Sequence, residues 1–525
     1  MNITDIDQTP SRPFKGFDWS EHDNVIRLID TLFAEYVSWY KKGGENKRIR
    51  ESEKIKAHLM HFVLEAYRTQ QALPVLTMGV HLGNRYYSEH EGERYHPNHL
   101  SYRVVRNVTS FLHDSGYLEM PFGKSGWEAK EKDRRTTRYR ATPKLISLCD
   151  EYGVNRFMIS DYPFRAPEII ILRKKKMRGK AGSLEDYKDT PFTKHARKNL
   201  KKINDHIDKH SINLDISDKK QHDLDHRLQQ CDDKARDSFI DFTKTKLKRI
   251  FNNSSFEQGG RFYGGWWQHI PSDYRTFITI NSKRTIQLDY SGMHFAIMYA
   301  QIGMNTPMGD PYALKGYGEH LRKDIKTAFN IIINCSSKVM AIATINGRIK
   351  KGKLSSELES GEKLLQAFAD THPLIKDKIA SGDGVKGQFI DSQVAEKVLL
   401  KGIDLNLCIL PIHDGFITTT GDQFVLERLM DEAFEEVTGY KATNKPETFE
   451  LSILKKKGTN KPYFITRADG SIERDGVIQG KGTSFSEPLS SGKVIWDRLK
   501  EDTDLRRIKN EREKEWKKAN SHYEQ

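Results

Sequence analysis

Cysteine is scarce in this chain. Only four occur in 525 residues (Cys149, Cys231, Cys335 and Cys408), far apart and never as C-x-x-C. Neither a disulfide scaffold nor a zinc ribbon is therefore expected, and a reducing compartment fits. Long apolar runs are missing too. Stretches such as Leu407–Ile412 and Ile331–Ile333 fall far below the roughly 18 residues that span a bilayer, so no membrane partner is expected. The segment MNITDIDQTPSRPFKGFDW has no apolar core behind a basic start. No signal peptide is therefore expected, and a soluble cytoplasmic protein is the expectation. There is no internal repeat, which sets aside solenoids and propellers. The 19 histidines contain no H-E-x-x-H or other metal-binding spacing.

What is present is ordinary core material with an uneven charge. Apolar residues make up 37% of the chain, enough with glycine to approach a globular composition. Lys and Arg number 86 against 72 Asp and Glu, leaving +14 and a pI near 9.2. Such an excess points to a polyanionic partner, most often nucleic acid. Composition divides the chain into blocks: 20–150, a basic linker at 151–194, a helix-and-strand region at 195–455, and a charged extension at 456–525.

In the first block, Ile55, Leu59, Phe62, Val63 and Tyr67 follow a helical period, as do Val104, Val105, Val108, Phe111 and Leu112. The second helix leaves Arg103 and Arg106 on its other face and ends at Gly116. A short strand (GYLEM) and a second strand at 136–142 flank a polar loop. Helix, strand, basic loop, strand is the order of a winged helix. Lys130, Lys132, Arg134, Arg135, Arg138 and Arg140 concentrate in the proposed wing, which predicts duplex DNA binding. The alternative is a small α+β domain with a solvated hairpin.

Residues 285–290 (TIQLDY) alternate as a strand and end in an acid, and an apolar helix follows at once. A carboxylate at such a junction is costly to bury unless a cation meets it, which makes Asp289 a candidate metal ligand. Residues 407–417 (LCILPIHDGFI) outline a hairpin with Asp414 at its tip. Two acids on adjacent strand tips can hold a pair of divalent cations for phosphoryl transfer. An Asp at a strand end is more often a turn or capping residue. Between the two acids, EHLRKDIKTAFNIII sets Arg322 and Lys326 at i and i+4 on one helix face, with Ile325, Phe329 and Ile332 on another. Cations so placed could grip a triphosphate.

Taken in order, these segments resemble the nucleic-acid polymerases with a family A palm. The resemblance begins at Gly260-Arg261-Phe262-Tyr263, passes through Gln268-His269-Ile270-Pro271 and Arg275, and reaches Leu288-Asp289-Tyr290-Ser291, as in the approach to motif A. Asp310-Pro311-Tyr312 is similar to the acidic motif before the fingers helix. Arg322-x-x-x-Lys326 matches the start of motif B, and His413-Asp414 matches motif C. Asp391-Ser392-Gln393-Val394-Ala395 sits where the family has its Gln- and Ala-containing helix. The match covers roughly residues 195–450. It implies an α+β right-hand polymerase with an antiparallel palm sheet, helical fingers (palm and fingers about 251–455) and a reduced thumb (about 195–250), preceded by the winged-helix-like domain.

The resemblance also implies roles. Asp289, Asp414 and the Tyr290 backbone carbonyl would bind two Mg2+ ions, with Mn2+ as an alternative. Arg322, Lys326, His294 and Asn334 would meet the nucleoside triphosphate. Arg261, Gln268, Gln393 and His413 would meet primer and template. Three departures stand out. Motif B of the family ends in Tyr-Gly, where this chain has Asn334 and Cys335. The family's DNA polymerases carry Glu five residues after the motif A Asp, where this chain has His294. A Glu usually follows the motif C His-Asp, where this chain has Gly415 and then Phe416, as in single-subunit RNA polymerases. The reading is therefore a template-directed nucleotidyltransferase, with DNA preferred to RNA or primase-like synthesis as its product. The alternative is a DNA-binding replication or regulatory protein whose palm has lost catalysis. Small size and a fused DNA-binding unit suggest a mobile element, phage or plasmid. Trp266, Trp267 and Tyr263 either stack on bases or pack a core, and GDGVKG at 382–387 lacks the preceding strand a dinucleotide site needs.

Overall fold

A computed structural model describes residues 11–42, 49, 51–88, 94–97, 99–122, 136–164, 166–175, 182–229, 240–290, 292–307, 309–335, 337–382 and 384–441, with short strands at Phe464–Thr466, Ile472–Arg474 and Val477–Gln479. It is mixed α+β and resolves into two units, neither continuous in sequence. Among the described residues, the first takes those up to Glu168 and adds Ile216–Thr245; the second takes Ile169–Asp215 and those from Lys246 onward. The stretch read as a basic linker therefore straddles a boundary. Within it, Ile170–Leu172 is a buried strand pairing in parallel with Lys248–Asn252. Three apolar residues are enough for a strand, and the neighbouring lysines conceal them in a composition window.

The first unit is built on a sheet of strands in the order Ser11–Pro13, Thr77–Val80, Thr137–Ala141, Leu118–Phe122. Helices Asp23–Lys42, Ser52–Ala72 and Tyr102–Asp114 contribute most of its core. All five apolar positions anticipated on Tyr102–Asp114 are buried, and Gly116 supplies the positive φ (75°) that stops the helix. Inside this core the buried Glu65 carboxylate accepts N–H bonds from Lys15 and Gly16. Burial raises its pKa. Arg12 reaches Asp241 at 2.9 Å, 229 residues away.

In the second unit five antiparallel strands lie in the order Leu410–Ile412, Gly415–Thr419, Lys283–Asp289, Ile278–Ile280, Ile212–Leu214. A smaller sheet joins Ser255–Tyr263, Lys248–Asn252 and Ile170–Leu172. The long helix Gly384–Asp404 packs on the Ser255–Tyr263 strand and on helix Gln423–Thr438. A separate helical core forms around Phe295, Phe329 and Phe368, with Phe295 and Phe329 stacked at 4.0 Å.

Helix Gly384–Asp404 is fixed by a fully buried arginine. Arg249 Nη1 donates to Glu396 at 2.7 Å, Nη2 to Ser392 Oγ at 3.0 Å and Nε to the Gly260 carbonyl at 2.9 Å. Glu396 also accepts from Asn199 at 3.1 Å. Every arm of the guanidinium is therefore engaged, which is what keeps a buried charge tolerable. Arg249→Ala should lower the unfolding free energy of this unit by about 3–5 kcal/mol, because it strands Glu396. Arg249→Met combined with Glu396→Leu should recover most of that loss. Urea unfolding of the two variants beside wild type checks both expectations.

Candidate functional site

The two acids singled out from sequence stand on neighbouring strands. Lys283–Asp289 pairs antiparallel with Gly415–Thr419, placing Asp289 opposite Gly415, the residue after Asp414. Asp414 sits in the two-residue turn that joins Leu410–Ile412 to Gly415–Thr419. The Tyr290 N–H donates to the Asp414 carbonyl at 3.3 Å, carrying the pairing to the end of the hairpin. Turn residue His413 holds φ at 55°, a left-handed conformation uncommon outside glycine. Such a backbone costs roughly 1–3 kcal/mol and persists where its surroundings enforce it. The Asp289 carboxylate lies directly over Gly415, and a Cβ placed there would fall on Oδ1. Glycine is thus the residue that lets this carboxylate lie across the strand beside Asp414. Gln287, two residues earlier on the same strand face, donates Nε2 to both Asp289 oxygens at 2.9 and 3.0 Å.

A third acid, not anticipated as such, completes the cluster. Asp391 on helix Gly384–Asp404 is buried and paired with Arg261 of strand Ser255–Tyr263; Arg261 Nε donates to its Oδ2 at 2.6 Å, and Nη2 donates there as well. Burial pushes the Asp391 carboxyl up to about 6, against the pull of Arg261 and with a further push from Asp414. Burial and the Arg261 cation take His294 down to about 4, so it is neutral at pH 7. His294 stands against helix Gly384–Asp404, where a Cβ on Gly387 would be 3.3 Å from its Nδ1. Burial, then Arg261, also lowers His413, whose ring meets Tyr263 edge-on at 5.7 Å. Arg261 thus acts electrostatically on Asp391, His294 and His413 alike.

Helix Arg322–Asn334 carries the expected cations, with Ile325, Phe329 and Ile332 buried beneath them. Arg322 is engaged in a bidentate pair with Asp310, Nε to Oδ2 at 2.5 Å and Nη2 to Oδ1 at 3.2 Å. Lys326 is exposed, makes no ion pair with any described residue and lies 6.0 Å from the centre of the Tyr312 ring. Asn334 is exposed at the helix end and bonds back to the Asn330 carbonyl.

Other residues take structural positions. Gln268 donates to the Phe262 and Pro411 carbonyls at 3.0 and 2.9 Å and accepts from the Gly264 N–H, tying the end of strand Ser255–Tyr263 to the hairpin. Trp266 and Trp267 are core residues, and Trp267 Nε1 donates to the Pro411 carbonyl at 3.1 Å. The buried Nε2 of Gln393 has no partner among the described residues. In the first unit Arg103 and Arg106 are exposed on helix Tyr102–Asp114, while Arg140 pairs with Glu119 at 2.7 Å. Arg138 is partly buried on strand Thr137–Ala141. Lys130, Lys132, Arg134 and Arg135 lie outside the described residues.

Asp289 and Asp414 offer hard oxygen donors, the chemistry that suits Mg2+. Among the described residues no group of three His, Cys, Asp or Glu closes into a metal cage. Magnesium commonly takes one or two carboxylates plus substrate phosphates, so the donor set fits.

No described protein family matches the sequence, and no curated protein matches it. Among solved structures, the chain is similar to the POL domain of Pol1 from M. smegmatis in complex with DNA primer-template and dNTP. The match has 12% identity and a TM-score of 0.26, and covers 78% of this chain and 63% of that one. The chain thus spans less than two thirds of that structure's length.

Gly415→Ala tests the geometry of the two acids. The added methyl must displace the Asp289 carboxylate from Gln287, and the overpacking should cost about 1–3 kcal/mol. Gly347→Ala is the control, since a Cβ there meets nothing within 4 Å and helix Lys338–Lys350 should gain about 0.5–1 kcal/mol. Unfolding titrations of both variants give the comparison.

Proposed function

We propose that the chain is a nucleotidyltransferase that extends a primer by template-directed synthesis, with DNA as the preferred product. The observation that carries this reading is the pairing of Asp289 with Gly415, which brings two acids together at the ends of adjacent strands. The order of the sequence motifs around them agrees. Asp289 and Asp414, with the Tyr290 carbonyl, are the groups that would hold the divalent ions. A pair of Mg2+ ions bound there supplies activation of the primer 3′-hydroxyl and neutralises charge on the departing pyrophosphate. Lys326, with no competing ion pair among the described residues, is the first cation available to the triphosphate. Arg322 joins by exchanging Asp310 for phosphate, an exchange between charge-assisted partners of similar geometry. His413, Arg261, Gln268 and Gln393 border the primer and template side, and Asn334 the far end of the nucleotide site. His294 presents a neutral imidazole near the sugar. It carries no fixed charge against a ribose, so ribonucleotide use is the second reading.

Primer extension with Mg2+, with dNTPs and NTPs side by side, is the direct test. Asp289→Asn and Asp414→Asn should each lower incorporation by about 100- to 1000-fold or more, since a carboxamide keeps the shape and loses the charge. Near wild-type turnover in either variant removes that acid from the site. A wild-type chain that incorporates neither sugar on any template would leave a DNA-binding protein with a silent palm.

The first unit we read as a winged helix that binds duplex DNA. Support comes from its order of helix Ser52–Ala72, strand Thr77–Val80, helices Asn84–Ser88 and Tyr102–Asp114, and strands Leu118–Phe122 and Thr137–Ala141, with the last strand central among the three. Helix Tyr102–Asp114 then occupies the recognition position and offers Arg103 and Arg106 to the groove. Phosphate contacts release counterions, so log affinity should fall with log salt by roughly 0.9 per contact. Arg103→Ala with Arg106→Ala in the full chain should flatten that slope by up to about 1.8. A salt titration of duplex binding reads it directly, and an unchanged slope moves the DNA surface elsewhere.

A further inference from the structure

Arg261 is committed to one carboxylate beside a second: Tyr263, two residues further along its strand, meets the ring of His413, the neighbour of Asp414, at 5.7 Å. Two of its nitrogens donate to Asp391 Oδ2, while Asp414 is close enough to stabilise its charge further. Asp391 is buried, so the pair is shielded from water that would otherwise loosen it. The Arg261 side chain is only 14% exposed and carries five donors, so without Asp391 its buried arms turn to the next acceptor within reach. Asp414 is the neighbouring carboxylate.

We propose that Asp391 is a positioning residue: it holds the Arg261 guanidinium off Asp414 and so keeps the Asp414 carboxylate open to a divalent cation. This rests on the polymerase reading for its purpose, although not for its measurement. Asp391 is placed for the task by the same helix that Arg249 secures through Ser392 and Glu396, one turn further along. The Arg261–Asp391 pair is therefore not the only attachment of helix Gly384–Asp404 to the sheet, and its loss leaves the helix held. Gly260, beside Arg261, keeps the strand close: a Cβ there would come within 2.8 Å of Ser392 Oγ.

The test uses the full chain and Mn2+ as the probe, titrated by electron paramagnetic resonance. Asp391→Asn should weaken Mn2+ binding by about tenfold, in the range seen when a partner behind a metal ligand is removed. Adding Arg261→Gln to Asp391→Asn should bring affinity back to within about threefold of wild type, because the displaced cation is then gone. Asp391→Asn with wild-type affinity overturns the proposal. A double variant as weak as Asp391→Asn alone also overturns it, since Asp391 would then act on the metal directly and not through Arg261. Primer extension by the same wild-type preparation separates the two questions. Absent incorporation sinks the polymerase reading, while the Mn2+ titrations still decide what Asp391 does.

Discussion

The second unit depends on two arginines that reach from one β-hairpin into one helix. Arg249 and Arg261 lie on the paired strands Lys248–Asn252 and Ser255–Tyr263, and both meet helix Gly384–Asp404, at Glu396 with Ser392 and at Asp391. The first is a structural clamp, fully enclosed and fully satisfied. The second stands at the edge of the acid cluster. Because both acids are on one rigid helix, the register set by Arg249 also determines where Asp391 can present its carboxylate. Fold and site share the same constraint there, and a shift of that helix by one residue would break both pairs at once.

The acid cluster is also an electrostatic balance. Asp289 and Asp414 stand on neighbouring strands, and Asp391 is paired with the largely buried Arg261 guanidinium. Burial and then repulsion from Asp414 raise Asp391, while burial and then the Arg261 cation depress His294 and His413. Gln287 adds a neutral donor to Asp289, which orders that carboxylate without cancelling its charge. Negative charge is thereby kept at the end of the hairpin.

Much of this was legible in the sequence, and the reason is locality. The strand ending at Asp289, the helix after it, the hairpin around Asp414 and the cation face of Arg322 and Lys326 are each written in fewer than twenty consecutive residues, with the alternation or helical period intact. Asp391 was hidden because its partner is 130 positions away. A lone acid in the middle of a helix reads as a solvated residue. Arg249 and Glu396 escaped for the same reason. Trp266 and Trp267 could not be assigned, since an aromatic pair suits a core and a stacking platform equally until the Pro411 carbonyl is seen to accept from Trp267. The strand Ile170–Leu172 was lost in the charge of its neighbours, and the return of Ile216–Thr245 to the first unit had no local signature at all.

That return shapes the order in which the molecule can be made. Arg12 closes on Asp241, so the first unit cannot complete its buried ion pair until synthesis has passed position 241. By then the strand Ile170–Leu172, the helix Pro191–Ile207 and the strand Ile212–Leu214, all belonging to the second unit, have already been made, and both strands still lack the strands they pair with later. Contacts of such long sequence separation form late and slowly. The nascent chain therefore carries two unfinished sheets at once, with open strand edges that invite association until their partners arrive.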